Sequence, residues 1–203
     1  MAEKIVIEVY KTKAPEEMTK LFSEPDSRLD TGCAAALTAA SAVALMKRAA
    51  AITAEKAGSS ERLDYILRNL ETMRTYMVHL IDEDVKSRAP LRKAMQEGNE
   101  QHIEASLQTA SCIPAEVVNM MGQCLELMAE LTEQCPDEAV QYIGAGAELA
   151  MSAIKSGMIY VVGMSKRSVD ETYRFVVRRE NELTYKHCEE VFNGIMEKVK
   201  GRI

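Results

Sequence analysis

The sequence predicts an all-α fold: an antiparallel bundle of about five long helices in a single domain spanning residues 1–203, with a short N-terminal arm and helix. Three observations carry that expectation. Apolar residues recur at steps of three and four along most of the chain, as a helix of 3.6 residues per turn requires. With Trp 0, Phe 3 and Met 13, the core has to be built from Ala, Leu, Val, Ile and Met, a set that favours packed helices over sheets. The breaks between periodic stretches are short, so sequential helices should be antiparallel neighbours.

Ile5 to Tyr10 alternates briefly and reads as an extended arm. Pro15 followed by Glu16 and Glu17 marks a helix start, giving a short piece from about Ala14 to Phe22. Asp30 or Thr31 can cap the first long helix, which Gly58 stops after Ala57. Its alanines, among them Ala35, Ala39, Ala42 and Ala50, lie on most faces, so neighbours can approach on several sides and this helix should be central. Ser59 and Ser60 offer the cap of the second helix, which Gly98 and Asn99 break. The third runs from about Glu100 to Gln134, with a kink expected at Pro114. The fourth, from Asp137 to Lys166, places Ala139, Gly146, Ala150, Ala153 and Gly157 on one stripe. Glycine inside a helix costs roughly 1 kcal/mol per site, so close packing must offset it. The fifth runs from about Val169 to Lys200.

The second helix carries the most informative residue. Leu63, Leu67, Leu70, Met77 and Ile81 form its apolar stripe, and Asp84 stands where another aliphatic side chain is due. Asp82 is turned about 200° away from Asp84 and should face outward. An inward carboxylate must be hydrogen-bonded, paired or kept for chemistry. The alternative is a stripe that meets solvent at the helix end, since Pro90 removes a helical amide nearby.

Composition narrows the partners. A net charge of −6 argues against nucleic acid or an anionic membrane as partner. Five cysteines without a C-x-x-C pair point to free thiols in a reducing cytoplasm rather than disulfides or zinc. The N-terminus lacks the pattern of a signal peptide. The uncharged run from Thr31 to Met46 is mostly alanine and too short to span a bilayer. A cytoplasmic location is therefore expected. His79, Asp82 and Glu83 share a helix face, but no second ligand pair accompanies them, and no metal is expected. Cys33, near a helix N-terminus, is either a thiol of lowered pKa or a small buried residue among alanines. No phosphate-loop or dinucleotide glycine pattern is present.

Leu80-Ile81-Asp82-Glu83-Asp84, Ile113-Pro114-Ala115-Glu116 and the small-residue fourth helix together resemble the cyclodeaminase/cyclohydrolase family. Its members include formiminotetrahydrofolate cyclodeaminase and methenyltetrahydrofolate cyclohydrolase. The resemblance spans about Lys20 to Glu171 and implies a cytoplasmic homodimer acting on a tetrahydrofolate derivative. It places the catalytic acid/base on Asp84. Ligand contacts are expected at Gly32, Cys33, Asp82, Arg88, Gln141, Tyr142 and Ser165. Several positions depart from the family pattern. The glycine-rich opening of the first long helix is reduced to Leu29-Asp30-Thr31-Gly32-Cys33; Gln141-Tyr142 stands in place of Ser-Asp; Val161 and Ser165 replace asparagines; and Arg88 replaces an aromatic. Two readings follow. One is a folate one-carbon enzyme with Asp84 as acid/base. The other is a re-purposed or non-catalytic helical dimer, binding another small ligand or a protein, in which Asp84 is a structural carboxylate paired to Arg88 at i+4.

Overall fold

The computed structural model describes residues 9–203, and among these the chain forms seven α-helices and no strand. They are α1 (Pro15–Ser23), α2 (Thr31–Ala57), α3 (Glu61–Ser87), α4 (Ala89–Glu97), α5 (Glu100–Gln134), α6 (Asp137–Ser165) and α7 (Glu171–Lys200). Five are long, in agreement with the expected bundle. The expected arm over 5–10 lies outside the described residues except for Val9 and Tyr10.

Central α2 packs against α3, α5 and α6. Its side chains at Cys33, Ala35, Ala36, Ala39, Ala42, Ala49 and Ala50 are fully buried. It is also the one described helix long and apolar enough to cross a membrane by length and composition. Expectation from the 16-residue uncharged run fell short there, because the apolar character continues past Lys47 and Arg48. In this fold that apolarity is spent on helix contacts.

The glycines of α6 show why small residues were needed. A Cβ on Gly146 would lie 3.0 Å from Met128 Cε and 3.2 Å from the Ala42 carbonyl oxygen. One on Gly157 would lie 2.9 Å from the Pro114 carbonyl oxygen. Backbone therefore meets backbone at both places. Helix α5 is assigned as continuous through Pro114. Larger side chains, including Met46, Ile66, Leu70, Met77, Met121 and Leu125, fill the space between the rods, each worth about 1.5–3 kcal/mol when fully buried.

One boundary differs from expectation. The second helix was expected to continue toward Gly98, but α3 ends at Ser87 and α4 begins at Ala89. Pro90 lacks the amide that would continue the ladder, and its ring crowds the preceding turn. Arg88 sits between the two helices as the C-cap of one and the N-cap of the other. Its amide donates to the Asp84 carbonyl at 3.2 Å, and its carbonyl accepts from the Arg92 amide at 3.0 Å. The break thus holds the Arg88 side chain at a junction.

Candidate functional site

Asp84 is fully buried, so the helix-end alternative is excluded. Its Oδ2 accepts from Arg88 Nε at 3.0 Å and from the Cys33 thiol at 3.1 Å. Its Oδ1 is buried with no hydrogen-bond partner among the described residues. Gly32 presses on that oxygen, where a Cβ would lie only 2.3 Å away. The glycine is needed for space: any side chain there would displace the carboxylate.

Arg88 spans from this buried acid to the surface. Its Nη1 donates to Asp30 Oδ2 at 2.9 Å and its Nη2 to the Arg28 carbonyl at 2.7 Å. Asp30 in turn caps α2 by accepting from the Thr31 amide at 2.7 Å. One guanidinium therefore ties together the start of α2, the end of α3 and the loop before α2. The i,i+4 pairing of Asp84 and Arg88 is the geometry the second sequence reading required.

The electrostatics follow from burial. Loss of water pushes the Asp84 carboxyl above its ordinary range, while Arg88 and the Cys33 thiol pull the other way. For Arg88, burial works against the charge, but Asp84, Cys33, Asp30 and Tyr160 together more than compensate and its pKa rises. Burial and the Asp84 charge push the Cys33 thiol up to about 12. Fully buried and donating to Asp84, Cys33 matches the small buried residue among alanines rather than a thiol of lowered pKa.

A cleft of about 200 Å³ opens beside the cluster, lined by Asp30, Arg88, Leu91, Arg92, Met95, Tyr160, Met164 and Arg167. Arg88 separates Asp84 from it. Arg88 lines the cleft and Asp84 does not. Burial pushes the Tyr160 phenol up to about 12, so it remains a hydrogen-bond donor.

Of the predicted site residues, the structure brings Gly32, Cys33, Asp84 and Arg88 into one cluster. Asp82 is a correction. It was expected to face outward, yet it is buried because the chain at Tyr10 and Lys11 folds over it. Its Oδ1 accepts from the Tyr10 amide at 2.7 Å and the Lys11 amide at 3.2 Å, and Lys11 Nζ stands 3.6 Å from Oδ2. Gln141 and Tyr142 stand apart from the cluster within one chain. The Tyr142 ring stacks under Arg48 at 4.4 Å, about 22 Å along α2 from Cys33 at 1.5 Å per residue. Ser165 is buried near the C-terminal end of α6, with its hydroxyl donating to the Val162 carbonyl at 2.9 Å. It does not line the cleft. Among the described residues no group of three or more metal-ligating side chains comes together.

Sequence reasoning missed Arg92, Tyr160 and Arg167. Arg92 had a legible clue, since it follows Arg88 by four residues, although the break at Pro90 obscured the shared face. Tyr160 and Arg167 reach the cleft only through the packing of α6 against α2.

The fold resembles that of the formiminotetrahydrofolate cyclodeaminase from Thermotoga maritima, with a TM-score of 0.87 at 20% sequence identity. The match covers 94% of this chain and 98% of that one. No curated protein sequence matches this chain. The formiminotransferase-cyclodeaminase family matches residues 16–182, most of the chain. By that match over its bundle, the chain belongs to the formiminotransferase-cyclodeaminase family.

Proposed function

We propose that this protein acts in the cytoplasm, as a homodimer, on a one-carbon unit carried by tetrahydrofolate, with Asp84 moving the proton. The observation that carries this reading is the buried Asp84 carboxyl, raised in pKa, with one oxygen lacking a hydrogen-bond partner among the described residues and a cleft on the other side of Arg88. Family membership and a neighbour of the same fold that is a formiminotetrahydrofolate cyclodeaminase support the substrate class. In the cyclodeaminase direction, N10 of the folate attacks the formimino carbon. Asp84 relays the N10 proton to the departing nitrogen, which leaves as ammonia when its bond to that carbon breaks. In the cyclohydrolase direction, water adds to the methenyl carbon and the ring opens to the 10-formyl derivative. Asp84 takes one water proton and returns it to the ring nitrogen that leaves, and the second is released to solvent as the carbonyl forms. Either route needs the Arg88 guanidinium to withdraw from the carboxylate it holds.

That requirement favours a second reading on a specific observation. Arg88 neutralises Asp84 and covers it, as in a binding protein that has given up turnover. The homodimer is supported by the outer surface of α2 and α6 near the site, where Leu37, Ser41, Ala44, Ser152 and Ile159 are exposed, with Lys155 the charge between the last two. Sedimentation equilibrium tests it, with a monomer at all concentrations counting against it.

Absorbance of the methenyl chromophore tests the reaction. It should rise from formiminotetrahydrofolate, or fall from methenyltetrahydrofolate, with the native protein, while Asp84→Asn binds the folate without changing the signal. Folate binding without turnover by the native protein counts against catalysis. Absence of binding at millimolar folate defeats the folate enzyme and leaves the second reading, in which the dimer binds another small ligand or a protein.

A further inference from the structure

The cleft beside Arg88 is positively charged in a protein of net charge −6. Arg88 is engaged by Asp84 and Asp30, but Arg92 and Arg167 have no carboxylate partner among the described residues. Arg92 Nη2 only approaches the Arg28 carbonyl at 3.5 Å, and Arg167 Nη2 only approaches Met95 Sδ at 3.5 Å. Arg92 also lines a second cleft of about 430 Å³ with Asp26, Arg28, Val85, Ala89, Lys93 and Gln96. Two guanidinia with free donors therefore flank an opening whose remaining wall is Leu91, Met95 and Met164, with the Tyr160 phenol and with Asp30, whose carboxylate is already held by Arg88. A guanidinium fork matches a carboxylate with two parallel hydrogen bonds.

Size decides how much of a ligand fits. Pockets for whole drug-sized molecules run to about 300–1,000 Å³, so an opening of about 200 Å³ takes one end of a folate and not its whole length. We infer that this cleft recognises the acidic end of the ligand, with Arg92 and Arg167 holding a carboxylate and Leu91, Met95 and Met164 covering the flat ring attached to it. The inference rests on the folate reading and deepens it by assigning the end of the molecule that docks here. Arg92 and Arg167 bind the ligand and take no part in the proton transfer.

Calorimetric titration of the full chain with N-(4-aminobenzoyl)-L-glutamate and with uncharged 4-aminobenzamide tests it without the pterin. The glutamate conjugate should bind at least tenfold more tightly. Arg92→Gln and Arg167→Gln should each reduce that preference about five- to tenfold while leaving the amide unaffected, and the preference should shrink as salt is raised. Equal affinity for the two probes, equal weakening of both by the substitutions, or binding of neither at millimolar concentration overturns the inference. Both arginines are at least partly exposed, and circular dichroism checks that the variants are folded. Arginine-dependent binding of the conjugate together with failure to bind the whole folate defeats the folate reading alone. Folate binding indifferent to both arginines defeats this inference alone.

Discussion

Replacing Arg88 with methionine removes the cation from a carboxylate that has no water to fall back on. Asp84 is fully buried, and the Arg88 side chain is only 8% exposed. Methionine keeps an unbranched stem of similar bulk, so the main loss is electrostatic. Of the hydrogen bonds to Asp84 from side chains, only that of the Cys33 thiol would remain. Breaking a buried pair by removing one partner costs about 3–5 kcal/mol. For a chain of this length that is roughly 6–20 °C in midpoint, at about 2–4 °C per kcal/mol. The loss has a direction with pH. Burial already holds Asp84 above its ordinary value of 3.8, and removing Arg88 raises it further. A raised carboxyl contributes stability below its unfolded pKa and loses it as pH rises through the folded one. The deficit should therefore be small near pH 4 and full near pH 7. Adding Asp84→Asn should restore a large part, giving a coupling of about 2–3 kcal/mol. Urea denaturation of the native protein, both single variants and the double variant at the two pH values measures each quantity. A loss under about 1 kcal/mol at pH 7 for Arg88→Met, or a double variant no more stable than that single one, refutes the buried-pair account.

Other consequences can be measured alongside. Gly32→Ala should cost about 1–3 kcal/mol by urea denaturation, because its Cβ would collide with Asp84 Oδ1. Gly163→Ala, where nothing lies within 4 Å, should be neutral or stabilising by up to about 1 kcal/mol. Ellman's reagent at pH 8 should titrate Cys112 alone in the native protein and all five thiols in denaturant, since Cys33, Cys124, Cys135 and Cys188 are buried. Rapid reaction of Cys33 would contradict its pKa of about 12. Asp82→Ala should free the Tyr10 and Lys11 amides, costing about 1–3 kcal/mol and hastening proteolysis near Lys11 and Lys13; an unchanged cleavage rate would count against the clamp.

Periodicity made the helices legible because a helix that buries one face repeats its chemistry every three to four residues. The inward acid could be read for the same reason: Asp84 interrupts a pattern that sequence alone defines. Asp82 could not be read that way. Its burial comes from a segment more than seventy residues earlier in the chain, and no local period reports such a contact. The i,i+4 spacing of Arg88 made the pair visible, yet its bonds to Asp30 and the Arg28 carbonyl depend on where α2 begins in space. The same limit explains Gln141 and Tyr142. A turn that matches a family motif in order can still sit at the far end of an antiparallel rod, and Tyr142 finds Arg48 there.

The alanine and glycine seams between α2, α5 and α6 set a mechanical tolerance for the carboxylate cluster next to them. Where main chains touch, as at Gly146 and Gly157, rods have no soft side-chain layer to absorb an added methyl. A single enlargement deep in the seam would pry two helices apart along their length. Gly32 and Tyr160 ride on those same rods, so the carboxylate and the cleft wall would move with them. The dimensions of the cleft are thus governed by residues that do not line it.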